Sequence, residues 1–218
     1  MLLVPEEQIK EYTYKGYWGS KTIVDLVFEN AHKALDEETL VDPYNRSNLV
    51  GGEPRRLTNR QLLEVVDRLA IRLLELGIRR DDIVAVQLPN IVELVISYLA
   101  LARIGAIITP LSVQSRTYEV EYVLKQCDPV AYITVHEFNK FNHLNMIQDI
   151  APKYPSLKHI ICVGNDLPDK VLSFEEIITT PTPSKYGEDY LDGRQSGPNE
   201  VFTICWTSGT EADPKGVP

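Results

Sequence analysis

Cysteine is scarce. Only Cys127, Cys162 and Cys205 occur, widely spaced and with no C-x-x-C pair. That set excludes a disulfide framework and a thiolate zinc site, and it suits buried thiols in a reducing cytosol. Positive charge is also short. Against 31 Asp and Glu stand 22 Lys and Arg, for a net charge of −9. The deficit argues against a nucleic-acid backbone or an anionic membrane surface as partner. The four histidines, His32, His136, His143 and His159, form no H-x-x-x-H pair. Surface or packing roles account for them, and no metal ligand is assigned. The opening Met1-Leu2-Leu3-Val4-Pro5-Glu6-Glu7 has too short an apolar run and the wrong charge for a signal peptide. Long apolar runs are nearly absent too. Leu94 to Val113 is twenty residues with one charge, Arg103. A mid-window Arg costs about 3 kcal/mol in a bilayer, and Gly105 and Pro110 interrupt the run. A buried helix, a turn at Gly105 and a buried strand over 106–109 fit better than a membrane span.

What is present reads as a soluble globular chain. Apolar residues are 44% and charged residues 24% of 218 positions, enough to bury a sizeable core. Residues 1–21 predict an irregular arm packing Tyr12, Tyr14, Tyr17 and Trp18 on the surface. Ile23, Leu26, Val27, Asn30, Ala31 and Ala34 repeat at helical spacing, and a short strand is expected at 39–42. The turn-rich stretch from Pro43 to Pro54 could close a hairpin. Thr58 and Gln61 are spaced as a capping box ahead of a helix that stops at Gly77. A strand at 83–88 precedes a helix with its N-cap at Asn90 and Glu93 at its third position. Further helices are expected at 115–127, 138–154 and 173–178, and strands at 106–109, 130–134 and 159–163. Acidic pairs such as Asp81-Asp82 and Glu175-Glu176 sit in turns or at helix starts as solvated or dipole-complementing charges. Strands and helices alternate without an internal repeat. The pattern predicts an α/β fold, a mostly parallel doubly wound sheet flanked by helices. Residues 181–199 are rich in Pro, Gly, Ser and Asp and read as a linker. The expected organisation is an α/β subdomain over 1–198 and a second unit beginning at 199.

Chemistry concentrates in Thr207-Ser208-Gly209-Thr210-Glu211-Ala212-Asp213-Pro214-Lys215-Gly216. The apolar run 201–206 leads in and reads as a buried strand. Three hydroxyls, two glycines able to bring backbone N–H groups close to a ligand, and a mobile cation then follow. A strand opening into such a loop can present donors to phosphate oxygens. Composition alone fits an ordinary surface turn equally well. A Walker A loop is excluded, because the G-x-x-x-x-G-K-[ST] spacing is absent and Gly216, not Ser or Thr, follows Lys215. Ser208 lacks a G-x-S-x-G context and an assignable His base, so no nucleophile or other catalytic residue is assigned. Trp206 at a strand end is read as core.

The stretch resembles the phosphate-binding signature of the adenylate-forming superfamily, which includes acyl-CoA synthetases, aryl-acid adenylating enzymes and peptide-synthetase adenylation domains. The family form is roughly T-S-G-T-T-G-x-P-K-G. Thr207, Ser208, Gly209, Thr210, Lys215 and Gly216 match it. Glu211 and Ala212 depart from it, and Glu211 places a negative charge beside the expected phosphates. The resemblance runs in order from about residue 14 to 218, through the helix from Leu57-Thr58 to Gly77, Val84–Asn90 with Glu93, Ala100–Ala106 and Thr109-Pro110-Leu111. It implies ATP-dependent activation of a carboxylic acid to an acyl-adenylate, then transfer to a thiol. That thiol is coenzyme A, or a carrier protein in the aryl-acid enzymes. It implies Mg2+ with the ATP, phosphate binding by the six matching residues, and a cytoplasmic enzyme of fatty-acid or related metabolism. It places the acid pocket, the magnesium-binding acid and the catalytic Lys of the family beyond residue 218. The chain is therefore expected to be the first part of a larger multi-subdomain protein, inactive alone. A module that keeps the fold without the chemistry stays open, as do the acid and the oligomeric state.

Overall fold

Local capping and apolar spacing set most of the elements. The computed structural model describes residues 1–207 and 214–218. Helix α1 (Glu6–Tyr14) stands where an irregular arm was expected. Glu6 and Glu7 occupy its first turn, where they complement the helix dipole, but the helix buries no residue. Its rings pack on near neighbours: Tyr12 lies edge-on to Tyr17 and Trp18, with centroids 5.9 and 5.0 Å apart. Helix α2 (Ile23–Ala31) starts at a capping box between Thr22 and Asp25. Strand β1 (Glu38–Val41), the single turn α3 (Arg46–Leu49) and β2 (Arg56–Thr58) follow, the two strands pairing as an antiparallel hairpin. Helix α4 (Asn59–Glu75) begins at the expected Thr58–Gln61 capping box. Strand β3 (Ile83–Gln87), α5 (Val92–Arg103), β4 (Ile107–Pro110), α6 (Thr117–Cys127) and β5 (Ala131–Val135) keep within two residues of the sequence reading.

Two local expectations fail for identifiable reasons. The helix expected from Phe138 is shorter. Strands β6 (Glu137–Phe138) and β7 (Phe141–Asn142) first make a tight hairpin whose turn residues, Asn139 and Lys140, both have positive φ. Such a turn matches the twist of the paired strands. Helix α7 (His143–Ile150) then starts at Asn142, whose side chain accepts from Asn145 N at 2.7 Å. The N-cap of α5 is Ile91 rather than Asn90. Its first N–H, Val92 N, donates instead to Asp42 Oδ1 at 2.9 Å, fifty residues upstream. A carboxylate from the β1–β2 hairpin does the capping, so no local signal marks it.

Strand β8 (His159–Val163), β9 (Val171–Ser173) and α8 (Phe174–Thr179) complete the main body. The sheet order is β4-β3-β5-β8-β9, with all pairs parallel. Val84, Val86, Ile133 and Ile161 face α4, α5 and α8. Ala85, Tyr132 and Cys162 face α6 and α7. Both faces of the strands are covered, which is why their sequences are apolar without alternation. The sheet is doubly wound.

Residues 181–199 lie against α4 and the loop after it. Tyr186 Oη donates to Glu75 at 2.9 Å, Leu191 is buried, and the Arg80 guanidinium donates to the carbonyls of Arg194 and Gln195 at 3.2 and 3.0 Å. The chain then runs beside β4. Ile108 N donates to Phe202 O at 3.1 Å and Ile204 N to Ile108 O at 2.9 Å, with a parallel bridge between Ile108 and Thr203. It ends in β10 (Cys205–Trp206) and β11 (Gly216–Val217), paired antiparallel. The run 201–206 is thus a sheet-edge segment rather than a buried strand. Val201 is buried, Cys205 is exposed, and the residues between are half-buried. Of the three thiols expected inside, only Cys162 is fully buried.

Candidate functional site

In a doubly wound sheet, ligands bind outside the carboxyl ends of the strands, near the point where the strand order reverses. Here β4 lies on one side of β3 and β5 on the other. The connections after β3 and β5 therefore leave to opposite faces, as α5 and α7. The 202–206 segment runs parallel to β4, so the chain leaves Trp206 at that same carboxyl edge.

Two of the six sequence-derived candidates meet there. Thr207 N donates to Lys215 O at 3.1 Å, and Lys215 N donates to Thr207 Oγ1 at 3.0 Å. The two bonds close the base of a loop. Thr207 Oγ1 is used as an acceptor, which leaves its own O–H to donate elsewhere. Lys215 is exposed, and among the described residues no carboxylate pairs with its ammonium. Gly216 pairs opposite Trp206 in the hairpin. A Cβ there would lie 3.1 Å from Ile204 Cγ2 and 3.3 Å from Trp206 Cη2, so packing as well as ligand access favours glycine. Ser208, Gly209 and Thr210, with Glu211 and Ala212, lie outside the described residues.

The hairpin is tied to the sheet by one side chain that the sequence reading places only in the strand core. Thr109, at the carboxyl end of β4, is fully buried. Its hydroxyl donates to Ile204 O at 3.1 Å and accepts from Trp206 Nε1 at 2.8 Å. Trp206 also meets Tyr122 of α6 edge-on, with centroids 6.0 Å apart. The signal available was a lone hydroxyl ending the apolar run 106–108, directly before Pro110. Beside Lys215 lies a cavity of about 450 Å³, bordered by Leu3, Tyr122, Cys127, Ile204 and Trp206. A second cleft of about 490 Å³ opens between the β3 and β4 ends, lined by Val86, Leu88, Tyr98, Leu111 and Phe138.

Below that edge is a buried polar cluster. Gln87 Nε2 donates to the carbonyls of Ser112 and Ser115 at 2.9 and 3.1 Å. Its Oε1 therefore faces the other way and accepts from Tyr132 Oη at 2.9 Å and from His143 Nδ1 at 3.2 Å. That acceptor places the imidazole proton on Nδ1 and leaves Nε2 a bare lone pair, buried and without a partner. Burial, with the Arg116 charge nearby, pushes the His143 pKa down to about 4, so the ring is neutral at pH 7. Among the described residues no group of three or more His, Cys, Asp or Glu converges as a metal site. None of their helices is long and apolar enough to cross a membrane.

Comparison with known proteins agrees with this architecture. The family model for AMP-binding enzymes matches residues 27–218. The chain is 28% identical over 213 residues to medium-chain fatty-acid–CoA ligase of Escherichia coli strain K12, covering 97% of this chain and 35% of that protein. It is 30% identical over 177 residues to 2,3-dihydroxybenzoate-AMP ligase of Bacillus subtilis strain 168, covering 81% and 31%. The apo structure of MbtA from Mycobacterium smegmatis superposes with a TM-score of 0.78 at 24% identity, covering 99% of this chain and 36% of that one. The chain spans about a third of the length of these relatives. With the family match over most of its length and the shared fold, the chain belongs to the AMP-binding enzyme family.

Proposed function

We propose that this chain is the N-terminal part of an ATP-dependent carboxylate-activating ligase. In the first step a carboxylate oxygen attacks the α-phosphorus of ATP, the bond to the bridging oxygen breaks, and pyrophosphate leaves with an acyl-adenylate formed. In the second step a thiol attacks the acyl carbon, giving a thioester and AMP. The observation that carries the reading is the reciprocal Thr207–Lys215 pairing at the carboxyl edge of the parallel sheet. It holds a cation and a hydroxyl at the base of a loop whose sequence continues with Ser208, Gly209 and Thr210. Charge develops on the β- and γ-phosphates as pyrophosphate leaves, and fixed donors stabilise it without reorganisation.

We assign Thr207, Ser208, Gly209, Thr210, Lys215 and Gly216 to binding the ATP phosphates, and no residue of the chain to proton transfer. Mg2+ would accompany the nucleotide. The described residues converge on no ligand set for it, and no step is routed through it. Coenzyme A is the acceptor favoured by the fatty-acid–CoA ligase likeness, and a carrier-protein thiol is the alternative that the aryl-acid resemblance implies. The cysteine usage fits a cytoplasmic protein of fatty-acid or related carboxylate metabolism. We assign an α/β subdomain through about residue 198, with the segment from 199 beginning a second. The chain of residues 1–218 alone is expected to form no adenylate.

The test is carboxylate-dependent ATP–pyrophosphate exchange by the full-length protein with fatty, aryl and short-chain acids. Exchange with one class names the acid, and adding coenzyme A or a carrier protein then identifies the acceptor. Folded protein that binds ATP yet exchanges with none of them would point to a non-catalytic module instead.

A further inference from the structure

We infer that Thr109 and Trp206 form a positioning device for Thr207 and Lys215, an inference that rests on the phosphate-binding reading above. One buried hydroxyl reaches two points of the strand that enters the loop. It donates to Ile204 O and accepts from Trp206 Nε1. The bonds fix the strand along its length and fix the rotation of the indole. The indole in turn touches both arms of the hairpin. It belongs to β10 on the entering side, and its Cη2–Cζ2 edge lies against Gly216 on the returning side. Tyr122 of α6 meets the ring edge-on at 83°. Thr109 itself cannot shift. It sits within β4, register-paired to Ala85 of β3, and is fully buried.

The spacing between the entering and returning strands is therefore set by an aromatic spacer hydrogen-bonded to the sheet interior. Thr207 is the next residue after Trp206, and Lys215 the one before Gly216. Their mutual bonds are the first rung beyond the Trp206–Gly216 pair. Without the Thr109 bond, the indole keeps its apolar contacts but loses the polar contact that fixes its orientation. The Lys215 backbone would then sample several positions relative to the sheet edge, and ATP binding would carry the cost of selecting one. The role belongs to ATP engagement rather than to turnover, because the two side chains act through Thr207 and Lys215, which are assigned to the phosphates.

Thr109→Val keeps the shape and removes the hydroxyl. In the full-length protein it is expected to weaken ATP roughly tenfold, read as Kd by calorimetry and as KM for ATP in pyrophosphate exchange, with kcat of exchange nearly unchanged. Thr109→Ser is expected to restore most of the affinity. Trp206→Phe keeps the ring without the N–H and is expected to give a similar loss. Combining it with Thr109→Val should add little to the Thr109→Val loss, because that change already removes the bond that Trp206→Phe removes. A merely structural role would lower the melting temperature and leave ATP affinity and KM at the wild-type value, and that result would overturn the proposal. Additive losses in the double variant would overturn the coupling as well. Lys215→Ala separates the two readings. If it leaves ATP affinity unchanged, or wild-type protein binds no ATP, the phosphate assignment fails and the positioning role falls with it. If it weakens ATP while Thr109→Val does not, only the positioning role fails.

Discussion

Arg46, Asp42 and Glu93 meet in the interior although 47 residues separate the first and last. Arg46 Nη1 donates to Asp42 Oδ2 at 2.9 Å and to Glu93 Oε2 at 2.8 Å, and Nη2 donates to Glu93 Oε1 at 2.5 Å. All three are buried. Asp42 additionally caps α5 through Val92 N and accepts from Arg55 N. Removing the guanidinium leaves two carboxylates in the core. Arg46→Met should cost about 3–5 kcal/mol in urea denaturation, whereas joint replacement of Arg46 and Glu93 by Met should cost less than the single change. A second residue-scale prediction concerns pH. The folded pKa of His143 lies below its unfolded value of about 6.5, so the unfolded chain binds the extra proton. The stability this residue contributes is complete above about pH 6.5 and is lost as pH falls towards about 4, by at most about 3 kcal/mol. Denaturation midpoints of wild type and His143→Gln, compared between pH 7.5 and 4.5, should show a shallower fall in the variant. Parallel falls would contradict the assignment.

At the scale of elements, α5 and β4 are joined at Gly105, where φ is +73° and an added Cβ would lie 2.8 Å from the carbonyl oxygen of Arg194. The Arg80 side chain nearby can move, but that backbone oxygen belongs to the 181–199 segment lying on the body. Gly105→Ala should therefore destabilise the protein by more than about 1 kcal/mol, and calorimetric melting would show it. No change would mean that the segment yields freely. Legibility follows the same scale. Helix α4 was readable because its capping box and its apolar face are both local in sequence. The strands β3, β4 and β5 were readable as apolar runs bounded by turns. What escaped was short or distant. The β6–β7 hairpin consists of two-residue strands that carry no period, and β9 has three residues. The cap of α5 comes from Asp42, fifty positions upstream of the N–H it satisfies. Thr109 and Trp206 read as core, and no sequence spacing reveals that their side chains are bonded to each other.

For the whole molecule, the parallel order and the two covered faces put Thr207 and Lys215 at the edge where such sheets take ligands. The strand alternation made that architecture legible, and the T-S-G-T…P-K-G pattern made the family legible. The sheet-edge course of residues 201–206 was not, because an apolar run reads the same for an edge strand and a buried one. On the function proposed above, Lys215 serves ATP activation of a carboxylic acid. That role is tested most directly by acid-dependent ATP–pyrophosphate exchange in the full-length protein, wild type against Lys215→Ala. The account predicts exchange with at least one class of acid, and a fall of about a hundredfold on losing the ammonium. Exchange that proceeds undiminished in the variant would contradict it.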